Sequence, residues 1–135
     1  MTLLSWSNAC AVGVQAMDDQ HGILMDTINE LHQGLVRECD RDQLDEHLER
    51  LIEFSRMHFQ CEEQLLERHG YPGLKAHQLA HKNLLRRIRE IVDRVENNKG
   101  VEVHSLLDFL RVWYGEHIAG PDRQYGKWLN EHGIF

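Results

Sequence analysis

The chain has 135 residues, enough for one domain with one substantial core. Apolar residues make up 41% and charged residues 27%, with a formal net charge of −7 and no basic patch, which argues against a nucleic-acid partner. No apolar run approaches the roughly 20 residues that span a bilayer, so no membrane partner is expected. The start "MTLLSWSNAC" shows no basic segment followed by an apolar one, so a cytoplasmic protein is expected. Three cysteines without CxxC spacing give neither a disulfide framework nor a cysteine zinc site.

Residues 1–17 lack helical periodicity and read as an ordered arm carrying Trp6. Four helical segments follow. The first is predicted over about 18–38, where His21, Leu24, Ile28, Leu31 and Leu35 recur by three and four. "ECDRD" then breaks the pattern. The second runs over about 42–68, with an inward stripe of Leu44, Leu48, Leu51, Ser55, His58, Glu62 and Leu65. "HGYPG" ends it, Gly serving as a cap and Pro following. The third covers about 74–96, with His77, His81, Leu84, Ile88, Ile91 and Val95 inward. After "NNKG" the fourth covers about 103–131, beginning with Leu106, Leu110, Trp113 and His117. Short connections make consecutive helices antiparallel neighbours. The expected fold is all-α, an up-down-up-down four-helix bundle with a non-helical N-terminal arm, forming one domain over 1–135.

Five histidines and one glutamate lie on the inward stripes: His21, His58, Glu62, His77, His81 and His117. One such histidine is more often a hydrogen-bonded core residue than a ligand. These six, however, fall at one height. Measured from the first turn, His21 lies about 19 residues before and His58 about 18 after. Measured from the second, Glu62 lies about 9 before and His81 about 10 after. Measured from the third, His81 lies about 19 before and His117 about 17 after. Equal counts in antiparallel hairpins mean equal heights, and i,i+4 spacing keeps His58 with Glu62 and His77 with His81 on one face. All four helices thus feed one layer, which points to a metal.

Asp122 follows His117 by five residues, about 140° around a regular helix. The inward pattern nevertheless resumes at Asp122, Tyr125 and Leu129, one residue late. Pro121 has no N–H to bond back to His117, so a bulge or kink over 118–121 is predicted, carrying Asp122 inward.

Five imidazoles and two carboxylates exceed one tetrahedral zinc. They suit two octahedral ions bridged by Glu62 and Asp122, with iron favoured and manganese, cobalt or zinc possible. Nine protein bonds and two from a shared oxo or hydroxo group leave one of twelve positions open. An open position on a redox metal in an apolar pocket is what reversible dioxygen binding requires.

The motifs "VGVQAMDDQHGIL", "HFQCEE", "YPGLKAHQLAH" and "HIAGPDRQY", in that order, resemble bacterial hemerythrins over nearly the whole chain. The resemblance implies a non-haem di-iron site with an oxo or hydroxo bridge. By matched position, His77, His81 and His117 hold one iron, and His21 and His58 the other. Glu62 and Asp122 bridge, and O2 binds at the two-histidine iron. Leu24, Phe59, Trp113 and Ile118 match the apolar O2 pocket, and Tyr125 matches a position near the bridging aspartate. Cys61, inside the His58–Glu62 motif, reads as filling a small core slot. His32, His47, His69, His104 and His132 read as ordinary exposed or capping residues.

The implied function is dioxygen carriage, storage or delivery by a monomer that is not an enzyme, its partners dioxygen and an O2-consuming enzyme. The alternative is a sensing domain joined to a signalling module. A di-iron oxidase or peroxidase ranks last, because no dedicated general acid or substrate pocket is visible.

Overall fold

The computed structural model describes residues 10–96 and 102–135. Trp6, the "NNKG" turn and the side chain of Val95 lie outside the described residues. Five helices follow in order: α1 (Gln15–Val36), α2 (Arg41–Arg68), α3 (Leu74–Glu96), α4 (Glu102–His117) and α5 (Arg123–Glu131). A π-helical turn, Ile118–Asp122, joins α4 to α5. Together α4, the turn and α5 form the fourth rod of an all-helical four-helix bundle, and the described residues include no strand. No helix among them is long and apolar enough to cross a membrane.

Local chemistry sets the element ends. Asp40 caps α2 by accepting from the Gln43 backbone N–H at 2.9 Å, while the Gln43 side chain accepts from the Asp40 N–H at 3.3 Å. At the other end of α2, Gly70 (φ +71°) donates to Glu67 O and Tyr71 donates to Leu66 O, the paired bonds of a glycine C-cap. The first helix begins at Gln15, three residues before the expected start. Its N-cap, Val14, has no side-chain cap. The turn is held instead by Val14 O, which accepts from both Met17 and Asp18. Asp18 in turn accepts from Val12 N at 2.8 Å, so the shorter arm and the helix start fix each other.

The core is aliphatic at the α1–α2 and α3–α4 turn end: Ile28, Leu31, Leu48, Leu51, Leu84, Ile88, Leu106 and Leu110 are buried. Two stripe assignments shift by one position. Leu66 is buried where Leu65 was expected and Tyr114 where Trp113 was, leaving Leu65 and Trp113 half-buried. Leu35 and Leu44, close to the first turn, are also half-buried. At the opposite end the arm crosses α5. A Cβ on Gly126 would stand 1.9 Å from Val12 O, so this crossing requires glycine.

Candidate metal centre

The residues named from the stripes all arrive in one buried layer. His21 comes from α1, His58 and Glu62 from α2, His77 and His81 from α3, His117 from α4 and Asp122 from the π turn; each is buried. The turn makes the last of these possible. Arg123 N bonds to Ile118 O, five residues back, and the wider turn brings Asp122 Oδ1 to 3.0 Å from His117 Nε2. Pro121 sits inside it, where the missing N–H breaks the α-helical ladder.

Glu62 lies at the centre. Its Oε1 is 2.6 Å from His77 Nε2 and 3.1 Å from His81 Nε2, while Oε2 is 3.3 Å from His58 Nε2 and 3.5 Å from His21 Nε2. Asp122 lies beside it: Oδ1 is 2.8 Å from His77 Nε2, and Oδ2 is 3.2 Å from His21 Nε2. The donor atoms of Glu62, His77, His81, His117 and Asp122 lie within 4.8 Å of one another, and those of His21, His58 and Glu62 do likewise. Two groups sharing Glu62 suit two ions, and Asp122 reaches both groups through His77, His117 and His21.

The hydrogen bonds fit a cation better than a self-contained polar core. Both ring nitrogens of His21 and Asp122 Oδ1 have no hydrogen-bond partner. The His77 and His117 nitrogens lie 2.8 and 3.0 Å from Asp122 Oδ1, but neither makes a hydrogen bond to it. Leaving such buried atoms unsatisfied costs about 1–3 kcal/mol each. His81 Nε2 and His117 Nε2 face each other at 3.2 Å, a contact that accommodates at most one proton. Meanwhile His58 Nδ1 donates to Gln20 Oε1 at 2.7 Å and His81 Nδ1 donates to Glu63 Oε2 at 3.0 Å. With Nδ1 carrying the proton, each ring in its neutral form turns a lone pair on Nε2 towards the layer, the arrangement metal-binding histidines use.

The electrostatics agree. Burial works against charge on His21 and His77, yet the neighbouring Asp122 and Glu62 carboxylates hold both pKa values up at about 9. Burial likewise works against the Glu62 anion, but contacts with His21, His58, His77 and His81 hold its pKa well below the usual carboxylate range. Asp122, opposed by burial and by Glu62, is also lowered, by His117, His21 and His77. With no metal, protons must supply the positive charge that these carboxylates demand.

Aromatic side chains wall the layer. Phe59 stacks on His81 (centroids 3.9 Å, interplanar 9°) and Trp113 stacks on His117 (4.3 Å, 15°). Leu24, Phe59 and Ile118 are buried beside the layer. Tyr125 is fully buried and donates to Glu62 Oε2 at 2.8 Å, with Asp122 also close enough to act on its hydroxyl. Cys61 sits half-buried at the margin of the core, 3.7 Å from Met57 Sδ. His32, His47 and His69 are half-buried, His104 and His132 exposed, and all five stand outside the layer. Sequence reasoning missed Gln20, Glu63, Tyr114 and the bond made by Ser55. Gln20 and Glu63 each directly precede or follow a layer residue in the chain, and that adjacency was their only signal.

A four-helix bundle holding a buried, paired histidine–carboxylate cluster defines a metal-binding helical protein. The chain belongs to the hemerythrin family: residues 12–129 match the model of the hemerythrin HHE cation binding domain. Relatives include the bacteriohemerythrin of Pseudomonas aeruginosa (strain PAO1 among others), 32% identical over 126 residues, covering 93% of this chain and 80% of that protein. The bacteriohemerythrin of Methylococcus capsulatus (strain Bath) is 28% identical, covering 96% of this chain and 99% of that one. A crystal structure of wild-type hemerythrin superposes with a TM-score of 0.83 at 28% identity, covering 93% of this chain and 96% of that chain.

Proposed function

We propose that this protein binds dioxygen reversibly at a non-haem di-iron centre, in the service of carriage, storage or delivery. The observation that carries the reading is the division of the buried layer into two donor groups that share Glu62. His77, His81 and His117 would hold one iron and His21 and His58 the other, with Glu62 and Asp122 bridging. Bound iron supplies the electrons and the vacant coordination position that dioxygen needs. The unequal histidine count supports placing that position on the His21/His58 side.

The chain's own residues do the rest. Gln20 and Glu63 orient His58 and His81. Tyr125 holds one Glu62 oxygen. Leu24, Phe59, Ile118 and the half-buried Trp113 keep bulk water from the open face, which favours release of intact dioxygen over its reduction. Apart from Tyr114 and Ser55, whose hydroxyls bond to each other, that face is apolar, which supports a binding protein over an enzyme. We read the protein as cytoplasmic and monomeric, delivering to an O2-consuming enzyme.

Metal analysis combined with optical spectra tests this. Two iron atoms per chain are expected, with charge-transfer bands that appear when oxygen is added to the reduced protein and vanish when it is removed. Bands that fail to reverse would exclude carriage.

A further inference from the structure

The layer of seven side chains has two faces, and both carry buried hydroxyls. On the arm side, Tyr125 donates to Glu62. On the other side lie the residues one helical turn from the metal-facing histidines: Leu24 after His21, Ser55 before His58, Leu84 after His81 and Tyr114 before His117. Because α1 and α3 run opposite to α2 and α4, these four share one height, and all are buried. Phe59 and Ile118, already placed at the open face, belong to the same side. Phe59 lies 6.4 Å from the Tyr114 ring, centroid to centroid. Ser55 Oγ and Tyr114 Oη stand 3.0 Å apart there, with side chains from α2 and α4 meeting across the bundle.

Two hydroxyls bring two protons, and their mutual bond uses one. If Ser55 donates to Tyr114, the Tyr114 proton is left to donate onwards, and a donor that itself accepts a bond is the stronger for it. An apolar pair would fill the same space without the cost of burying hydroxyls. We propose that the Ser55–Tyr114 pair is the hydrogen-bond donor for a small ligand that carries, or acquires, negative charge at the open face of the centre, making Tyr114 a specificity-determining residue. Burial, with Asp122 and Glu62 nearby, outweighs the Ser55 bond and pushes the Tyr114 pKa up, so the hydroxyl keeps its proton throughout the physiological range. This inference rests on the dioxygen-binding reading above.

Azide, a small anion, is the probe, added to the iron-loaded, oxidised protein. The infrared stretch of bound azide in the wild-type protein should shift between H2O and D2O. Tyr114→Phe should abolish that shift and weaken azide binding about tenfold, with iron content unchanged. Ser55→Ala should weaken binding less and keep the shift. A wild-type adduct with no isotope shift overturns the proposal without any variant, so poor folding of Tyr114→Phe leaves it open to refutation. Azide affinity within twofold of wild type in Tyr114→Phe, with the shift intact, overturns it as well. A wild-type protein that takes up no iron would instead defeat the di-iron reading on which the proposal stands.

Discussion

His117 and Asp122 are five residues apart in the chain, yet the Nε2 of one lies 3.0 Å from the Oδ1 of the other. A regular α-helix would turn them about 140° apart. The π turn over Ile118–Asp122, wound less per residue, takes up that excess rotation. Inserting one alanine between Gly120 and Pro121 should turn Asp122 about a further 100° around the axis and swing it out of the layer. Metal analysis should then find fewer than two ions per chain. Gly120→Ala is the control: a Cβ there meets nothing within 4 Å, so metal content should stay at the wild-type level.

The arm crossing depends on one hydrogen atom. Gly126→Ala places a methyl group 1.9 Å from Val12 O, and neither backbone can yield without displacing the arm. The expected cost is about 1–3 kcal/mol in chemical denaturation. Limited proteolysis should cut the variant within residues 10–14 faster than wild type.

Gln20 meets the Nδ1 of His58, the ring nitrogen opposite the Nε2 that faces Glu62. Gln20→Ala should leave the fold intact but lower affinity for the ion held by His21 and His58 about 10–100-fold. Stepwise metal titration should show one site weakened and the other unchanged. Equal weakening of both sites would contradict the assignment.

Tyr125→Phe removes the donor to Glu62 Oε2 and leaves its ring packing in place. A hydrogen bond to a buried carboxylate is worth about 1.5–3 kcal/mol, so the metal-free protein should lose roughly that much stability to urea.

The metal-free protein should also respond to pH with a defined sign. His21 and His77 have pKa values raised from 6.5 to about 9 in the fold. Their contribution to stability is complete below pH 6.5 and is lost as pH rises through 9. Glu62 is held well below 4.5, so its contribution is present above that value and falls away in acid. Urea midpoints for the metal-free protein should therefore decline on both sides of a window from about 4.5 to 6.5. Loading metal near pH 7 must displace the two imidazolium protons, and calorimetry in buffers of different ionisation enthalpy should detect their release.

Periodicity alone located the four rods, because an aliphatic stripe at three- and four-residue spacing has few other uses in a soluble chain. Equal distance from each turn then placed His21, His58, Glu62, His77, His81 and His117 at one height, because helix rise per residue is constant. Pro121 announced the break before Asp122 for a local reason, the missing N–H. Other features follow no such period. Gln20 and Glu63 sit off the inward stripes and matter only because His58 and His81 on other turns or helices present Nδ1 to them. The exchange of Trp113 for Tyr114 in the core depended on the rotation of α4, which the packing of neighbouring helices sets within tens of degrees. The Ser55–Tyr114 bond joins residues 59 positions apart. Spacing along a single helix could place each hydroxyl near the layer, but only the closing of the bundle decided that they would meet.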